Sequence, residues 1–388
     1  MRFVIVALLL LCAGCPGQRR GPEGEPSPFR PAALKAVSDD MSAQSLRAAA
    51  RASIAYYEGQ GRRSGAVVLG DDHYDNEDLL RSARRVVELI EQTPGPALAA
   101  RLAAECRAYS AGEPAKFTAY YEPVVAARRR PDRRFRYPIY RAPDGKQRAR
   151  LIAKFGRLPT RAEIDRADGQ NASRGSGTTG ALRGFGLEVA WLDDPVARFF
   201  LHVQGSGRLS FDDGSSMRVG FASSNDAEYR SIGAVMLARG MLEKGKTSAP
   251  AMRAWLGAHS DKRDGVLFEN PRYVFFRDVV GPGPIGALGV ALVPGRSLAT
   301  DPRFVPHGIL TFVRTQVPVV DGDGRLVGHR PLTRFAFSHD AGAAIRGRAR
   351  ADIFWGSGEA AGTQAGYLSD SGEMLLLVCG GGRSGRGD

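Results

Sequence analysis

The chain carries near its C-terminus Phe337-Ser338-His339-Asp340-Ala341-Gly342-Ala343-Ala344-Ile345-Arg346-Gly347, followed by Ala351-Asp352-Ile353-Phe354-Trp355-Gly356-Ser357-Gly358. Each segment is an apolar run with one carboxylate, and small residues follow it. Glycine permits positive φ and the close approach of a ligand, so each aspartate is a candidate acid or base. The apolar neighbours of Asp352 would favour its neutral, proton-donating form. Taken alone, this stretch fits two aspartates that only cap turns better than it fits a catalytic acid.

Length and composition indicate a globular protein with room for two domains. The chain has 388 residues, of which 43% are hydrophobic and 24% are charged. The net charge of +13 favours polyanionic partners such as nucleic acid, anionic lipid or an anionic cell wall. The charge is spread along the chain, so it does not select among these partners.

Residues 1–15 predict an export signal. Arg2 supplies a positive charge, and residues 4–11 form an apolar run that is too short to span a bilayer. Ala13-Gly14-Cys15 resembles the end of a bacterial lipobox, in which the cysteine is acylated, although Cys12 stands where leucine is usual. A plain signal peptide cut nearby is the alternative.

Export has three consequences for the rest of the chain. Pro16 follows Cys15 in place of the aspartate that signals inner-membrane retention, so we expect a lipoprotein at the periplasmic face of a Gram-negative outer membrane. Residues 16–30 are rich in proline, glycine and charge and predict a flexible tether. In an oxidising compartment Cys106 and Cys379 could pair or remain buried thiols, and the sequence leaves both possibilities open.

The first half of the chain predicts helices and then an aromatic strand. Helical periodicity covers residues 31–58, and a second helix is expected to begin at an N-cap at Asp75 or Asn76. The run Phe117–Val125 predicts a strand that ends near its proline. Tyr120 and Tyr121 would point to opposite faces of this strand, so that one packs inward and the other lines a groove. Aromatic faces can hold a sugar ring, although core packing is the commoner use of a tyrosine pair.

The second half of the chain predicts mostly strands. Residues 199–203 are expected to form a strand, residues 225–239 and 248–258 helices, and residues 270–276 a strand. The turn Gln204-Gly205-Ser206-Gly207 lacks the lysine and the helix of a P-loop, and a polar turn facing a glycan fits it at least as well. Asp213-Gly214 predicts a hairpin. Short strand pieces from residue 284 onward suggest a closed barrel, namely 285–293, 301–306, 309–319, 333–345, 351–355 and 373–378.

Two classes of site find no support in the sequence. The arginine-rich segment 128–136 lacks interleaved aromatic residues, and no helix-turn-helix or zinc-finger spacing accompanies it, so a nucleic-acid partner is not expected. The six histidines are scattered and no Cys/His spacing fits zinc, so we expect neither a metal nor a cofactor.

Taken together, several motifs resemble the membrane-bound lytic murein transglycosylase A family over roughly residues 110–378. In chain order they are FTAYYEPV, FFLHVQGSG, EYRSIG, NPRYVFF, GPIGALGVALVPGRSLATDPRFVP, HDAGAAI and ADIFWGSG. Departures from the family pattern are Ala119, Glu122 and Ala343. The resemblance implies a mainly β protein with N-terminal helices. A double-psi β-barrel would be interrupted by a second, smaller, mostly β domain, with a glycan groove between them.

This fold implies the following domain boundaries, given in chain order. They are a signal peptide at 1–15, a tether at 16–30, an N-terminal helical part of the barrel domain at 31–125, an inserted β-rich domain at 126–268, a barrel part with the catalytic aspartate at 269–379, and a disordered tail at 380–388.

The resemblance also assigns roles to residues. Asp301, Asp340 and Asp352 match the family's three marker aspartates, and Asp352 matches the catalytic one. Asp340 and Asp301 would support it. The candidate substrate contacts are Tyr120, Tyr121, Gln204, Gly205, Ser206, Gly356 and Ser357. The expected partners are peptidoglycan glycan strands, the membrane through a lipid on Cys15, and other cell-wall enzymes.

One carboxylic acid is sufficient for the chemistry that this resemblance implies. An ordinary glycosidase uses two carboxylates, whereas a lytic transglycosylase uses the C6 hydroxyl of its own substrate as the nucleophile. Protonated Asp352 would donate to the leaving oxygen and would then accept the proton of that hydroxyl, which contributes about 10²–10⁴-fold. A non-catalytic wall-binding barrel is one alternative. An aspartic protease is another, because Asp340-Ala341-Gly342 resembles an Asp-Thr-Gly turn, but only one such turn is visible.

Overall fold

The computed structural model of the protein describes residues 27–63, 65–165, 180–182, 184–243, 248–281 and 283–380. The expected signal peptide with Cys15 lies outside these residues. Most of the tether at 16–30, residues 166–179 and nearly all of the tail at 380–388 also lie outside them. No helix among the described residues is long and apolar enough to cross a membrane.

Strands outnumber helices in the described chain. The helices are α1 (Ala43–Glu58), α2 (Asn76–Gln92), α3 (Ala97–Glu105), α4 (Gly145–Phe155), α5 (Pro195–Gln204), α6 (Ile232–Ala238), α7 (Ala249–Ala258), α8 (Ser260–Leu267) and α9 (Glu359–Tyr367). The strands are β1 (Arg30–Ala32), β2 (Val67–Leu69), β3 (Asp72–Tyr74), β4 (Cys106–Ser110), β5 (Ala115–Glu122), β6 (Val124–Arg128), β7 (Tyr137–Tyr140), β8 (Glu188–Leu192), β9 (Ser206–Phe211), β10 (Ser216–Ser224), β11 (Val274–Val279), β12 (Ser297–Thr300), β13 (Leu310–Val320), β14 (Leu326–Asp340), β15 (Arg350–Ser357) and β16 (Ser369–Cys379).

Six strands close into a barrel in the order β16-β13-β14-β12-β15-β5, and β16 also pairs with β5. The pairs β12–β14 and β15–β5 are parallel, and the other neighbours are antiparallel. Phe117 and Ile353, from two neighbouring strands, are completely buried in the barrel core. The mainly β class with a double-psi barrel, predicted from the sequence, is thereby confirmed.

A second sheet of six strands, in the order β11-β10-β9-β6-β8-β7, forms the smaller domain. The chain passes from the barrel into this sheet across a single residue, Pro123, which cannot donate to a strand ladder. β11 lies beyond the expected boundary at residue 268 and pairs with β10 of this second sheet. Helices α5 to α8 pack around one apolar cluster that includes Phe199, Met236 and Leu256.

The N-terminal helices pack on the outside of the barrel, where Leu46, Val86 and Leu102 share a core with Phe312 and Phe335. The side chain of Asp75 caps α2 by accepting a hydrogen bond from the backbone N–H of Asp78. The capping signal in the sequence therefore predicted the start of this helix correctly.

The predicted strand at 199–203 is wrong, because these residues belong to helix α5. Asp194 caps the helix by accepting from the backbone N–H of Val196, and Pro195 occupies its first turn. Gly205 ends it with φ 76°, which suits glycine. The aromatic run suggested β structure, but the helix signals at both ends prevail.

The predicted helix at 225–239 is shorter than expected, since α6 begins only at Ile232. Ser231 caps it by accepting from the backbone N–H of Ala234. Upstream, the Asn225 amide donates to the carbonyls of Pro159 and Pro271, which holds that segment in an extended loop. The expected strand at 285–293 is reduced to one bridge, between Ile285 and Ala291, and residues 301–306 form a turn.

The question of Cys106 and Cys379 is settled, because they form a disulfide between paired positions of β4 and β16. Their Cα atoms are 3.9 Å apart, and 273 residues separate them in the sequence. The bond joins a strand that precedes the second domain to one that follows it.

Candidate active site

A groove of about 1340 Å³ lies between the barrel and the second domain. Strands β5 and β15 and helix α9 contribute to its barrel side, and helices α5 and α7 contribute to the opposite side. Asp340 and Asp352 both line the groove. The structure therefore brings together two of the three aspartates that the sequence singled out.

Asp352 lies on β15 directly beside Thr118 of β5, because these strands run parallel in that register. The hydroxyl of Thr118 donates to Asp352 Oδ1 at 2.5 Å and accepts from Arg350 Nη2 at 2.8 Å. The carboxyl is therefore fixed at one oxygen while it remains partly exposed in the groove.

Burial raises the pKa of Asp352 from 3.8 to about 6. The Thr118 hydrogen bond and the Arg350 charge oppose this rise, whereas the charge of Asp340 adds to it. A carboxylic acid with such a pKa retains its proton in about one molecule in ten at pH 7, far more often than an ordinary aspartic acid, and can also release it. This is the property that general acid–base catalysis requires.

Asp340 is held by three hydrogen-bond donors. The Tyr120 hydroxyl donates to its Oδ2 at 2.8 Å, and the backbone N–H groups of Ala287 and Ala341 donate to its Oδ1 at 2.8 and 2.9 Å. A Cβ on Gly286 would lie 2.6 Å from the His339 carbonyl, so glycine is needed where this loop approaches the aspartate. Burial raises the pKa of Asp340, although these donors favour its ionised form.

Asp301 has a different environment from the other two aspartates. It is completely buried, is not among the described residues that line the groove, and forms an ion pair with Arg303 at 2.5 Å. It also accepts from the backbone N–H of Gly347 at 2.8 Å. Burial raises the pKa of Asp301, but these bonds have the larger combined effect, and the pKa is lowered. Asp301 therefore anchors the loop between β14 and β15.

The adjacent tyrosines of β5 occupy different environments. Tyr120 is buried, packs against Phe354 with ring centroids 5.4 Å apart, and contacts Asp340. Tyr121 is partly exposed and accepts from Arg253 at 3.2 Å, and its backbone N–H donates to Gln204 Oε1 at 3.1 Å. All of these side chains except Phe354 line the groove.

Four other candidate contacts are not among the described groove-lining residues. They are Gly205, Ser206, Gly356 and Ser357. Gly205 ends α5, and Ser206 begins β9. Gly356 has φ 121°, and the Ser357 hydroxyl donates to Glu122 at 2.8 Å. Gly205 therefore lies at the end of a helix, and the other three residues belong to strands β9 and β15.

Sequence reasoning assigned no role to Thr118 or Arg350, and it noted Glu122 only as a departure from the family pattern. Glu122 is 0% exposed at the end of β5, where it forms an ion pair with Arg218 of the second sheet and accepts from Ser357 of the barrel. The Arg218 guanidinium also donates to the Gly281 carbonyl at 2.7 Å. Glu122 therefore links the two domains at the point where the chain crosses between them. Its position just before a proline, where a strand must end, was the sequence signal for a crossing between domains.

Both parts of the chain resemble known proteins. Residues 116–277 match the MltA specific insert domain, and residues 296–378 match the 3D domain. Membrane-bound lytic murein transglycosylase A of Escherichia coli K12 is 36% identical over 264 residues, which cover 68% of this chain and 65% of that protein. The Vibrio cholerae protein of the same name is 31% identical over 295 residues, 75% of this chain and 73% of that protein. The chain thus spans roughly two thirds of the length of these two relatives.

Solved structures agree with these matches. A membrane-bound lytic murein transglycosylase from Agrobacterium tumefaciens is similar with a TM-score of 0.67 at 30% identity, covering 88% of this chain and 98% of that one. The E. coli MltA structure with bound chitohexaose gives a TM-score of 0.69 at 26% identity, covering 94% and 99%. The likeness therefore extends over both domains and the groove between them.

Proposed function

The chain belongs to the membrane-bound lytic murein transglycosylase A family, and from that premise we propose that it is a peptidoglycan lytic transglycosylase. It would cleave the β-1,4 bond between MurNAc and GlcNAc and leave 1,6-anhydro-MurNAc ends. One observation carries this proposal. The Asp352 carboxyl opens into the groove with a pKa raised to about 6 by burial.

In the proposed reaction Asp352 acts twice. In its protonated form it donates to the glycosidic oxygen, and the C–O bond to the MurNAc anomeric carbon breaks. The resulting carboxylate accepts the proton of the C6 hydroxyl, whose oxygen then bonds to the same anomeric carbon. No water is consumed, and Asp352 ends protonated as it began. Because the nucleophile belongs to the bound sugar, little further translational entropy is lost.

The groove residues have supporting roles in this proposal. Asp340, fixed by Tyr120, contributes negative charge near the developing oxocarbenium ion. Tyr121 on the barrel side and Gln204 on the opposite side meet through a hydrogen bond and hold the glycan between them. The chitohexaose in the E. coli relative's structure supports a groove that accepts β-1,4-linked amino sugars.

The proposed location is the periplasmic face of the outer membrane, with a lipid on Cys15. It is supported by the apolar run and the Ala13-Gly14-Cys15 sequence, and by the relatives' description as membrane-bound. Labelled palmitate should co-purify with the wild-type protein and not with Cys15→Ala. If the label is absent from both proteins, the lipid anchor is excluded.

Digestion of purified sacculi, with mass analysis of the products, tests the activity. The wild-type chain should release 1,6-anhydromuropeptides, which resist borohydride reduction, and Asp352→Asn should release none while still binding sacculi. Reducing-end MurNAc would indicate a hydrolase, cut stems would indicate a protease, and no release by wild type would indicate a binding module. Anhydro product at wild-type level from a folded Asp352→Asn protein would exclude Asp352 as the acid.

A further inference from the structure

On the second-domain side of the groove the described lining residues include arginines and no carboxylate, whereas the barrel side carries carboxylates as well as Arg350. Among the described lining residues the acids are Asp340, Asp352 and Glu359, and all three belong to the barrel domain. Across from them the second domain presents Arg161, His202 and Arg272, which we call the arginine recess. The reaction proposed above uses none of these three side chains.

The recess is built on a buried ion cluster. Arg161 and Arg198 are only 1% and 3% exposed, and both pair with the one carboxylate of Asp165, at 3.5 and 3.1 Å. Arg161 also donates to the Arg272 carbonyl at 2.9 Å. These contacts hold the Arg161 guanidinium in one position at the groove wall.

His202 adds a hydrogen-bond donor without an acceptor. Its Nδ1 lies 3.2 Å from Arg161 Nη2, and because a guanidinium can only donate, Nδ1 accepts and the proton of neutral His202 is on Nε2. The side chain is 4% exposed, and in the described part of the chain its Nε2 has no hydrogen-bond partner. Burial, together with Arg161 and Arg198, lowers the pKa of His202 well below its usual value, so the ring remains neutral.

Arg272 completes the recess at the groove surface. It is partly exposed, and one of its nitrogens donates to the Ala227 carbonyl at 3.1 Å. Within the described residues no carboxylate lies within ion-pair distance of it. Asp226 is the acid whose charge acts on Arg272, and it forms an ion pair with Arg148 at 2.5 Å. The guanidinium of Arg272 is therefore open to an anion in the groove.

We propose that the arginine recess binds a carboxylate of the glycan substrate, which extends the proposed function and rests on it. A carboxylate matches the planar donors of a guanidinium, with which it forms charge-assisted hydrogen bonds. In peptidoglycan this group comes either from the lactyl side chain of a MurNAc without a peptide or from the stem peptide. A chain of GlcNAc alone carries no charge and cannot use the recess.

Binding of three ligands to the full chain with Asp352→Asn, which prevents cleavage, tests the proposal. The ligands are glycan strands with stems, strands freed of stems by an amidase so that the lactyl carboxylates are exposed, and neutral chitohexaose. Arg272→Gln is added to this background, and Arg277→Gln is the matched control because it removes the same charge from an exposed position outside the groove lining. Titration calorimetry measures each dissociation constant.

We expect Arg272→Gln to weaken binding of carboxylate-bearing strands by about 10- to 100-fold and to leave chitohexaose unchanged. A loss with stem-free strands identifies the lactyl group, and a loss only with stem-bearing strands identifies the stem. Arg272→Lys should recover part of the affinity, and Arg277→Gln should have no effect. An equal loss for all three ligands, or no loss for either kind of strand, would overturn the proposal.

The outcome is separable from that of the proposed function. Charge-selective binding that depends on Arg272 would stand even if wild-type protein released no anhydro product from sacculi. Conversely, wild type could release anhydro product while Arg272→Gln binds all three ligands as before. In that case the assignment as a lytic transglycosylase would stand, and the arginine recess would not be part of the substrate site.

Discussion

Replacing Asp352 by Asn should stabilise the folded protein at neutral pH while it abolishes turnover. The folded structure holds this carboxyl at a pKa of about 6, against an ordinary value of 3.8. The amide of Asn is close in shape and can still accept the hydrogen bond from Thr118. The substitution therefore removes mainly the cost of holding a charge in a poorly solvated position.

The size of this stabilisation and the pH range in which it appears follow from the difference in proton binding between the folded and the unfolded chain. Below pH 3.8 the carboxyl is protonated in both the folded and the unfolded chain, so it has no effect on the free energy of unfolding. Between pH 3.8 and about 6 the folded chain binds more protons, so stability falls as the pH rises. Above that window the cost reaches about 3 kcal/mol. Asp352→Asn should recover most of it at pH 8 and nothing at pH 3.5.

Urea unfolding of the two proteins across this pH range measures the difference. Asp323→Asn is the matched control, since it removes the same charge from an exposed turn between β13 and β14. The control should follow the wild type throughout. A difference between Asp352→Asn and wild type that is absent at pH 8, or constant from pH 3.5 to 8, would refute the account of Asp352 as a buried acid.

Three further predictions concern neighbouring contacts. Thr118→Val removes the donor that favours the ionised form of Asp352, so its pKa should rise and the alkaline limb of kcat/KM should move to higher pH; an unmoved limb would mean that this hydrogen bond does not tune the acid. Gln204→Ala removes the acceptor of the Tyr121 N–H and should lower glycan turnover without changing the melting temperature, whereas unchanged kinetics would remove Gln204 from the site. Cys106→Ser combined with Cys379→Ser should lower the free energy of unfolding by about 2–5 kcal/mol, and reductant should lower that of wild type to the same level but leave the variant unaffected.

Local signals were sufficient for several features of the protein. The cap at Asp75, the hairpin turn at Asp213-Gly214 and the apolar runs around Asp340 and Asp352 each depend on a few consecutive residues. Capping, turn chemistry and periodicity act over that range, so they can be read without the fold. The aromatic run in α5 misled the same reasoning, because strand propensity was considered without the caps at its two ends.

The tertiary structure alone determined how the site is assembled. Thr118 meets Asp352 across 234 residues because β5 and β15 run parallel in one register, and nothing local specifies that register. The disulfide joins residues 273 apart, and the buried Glu122 finds Arg218 in another domain. The sequence by itself identified which carboxylates sit beside apolar residues and glycines. Barrel closure brought Asp340 and Asp352 to one groove and gave them different hydrogen-bond partners, because burial and electrostatic environment arise only when distant strands are brought together.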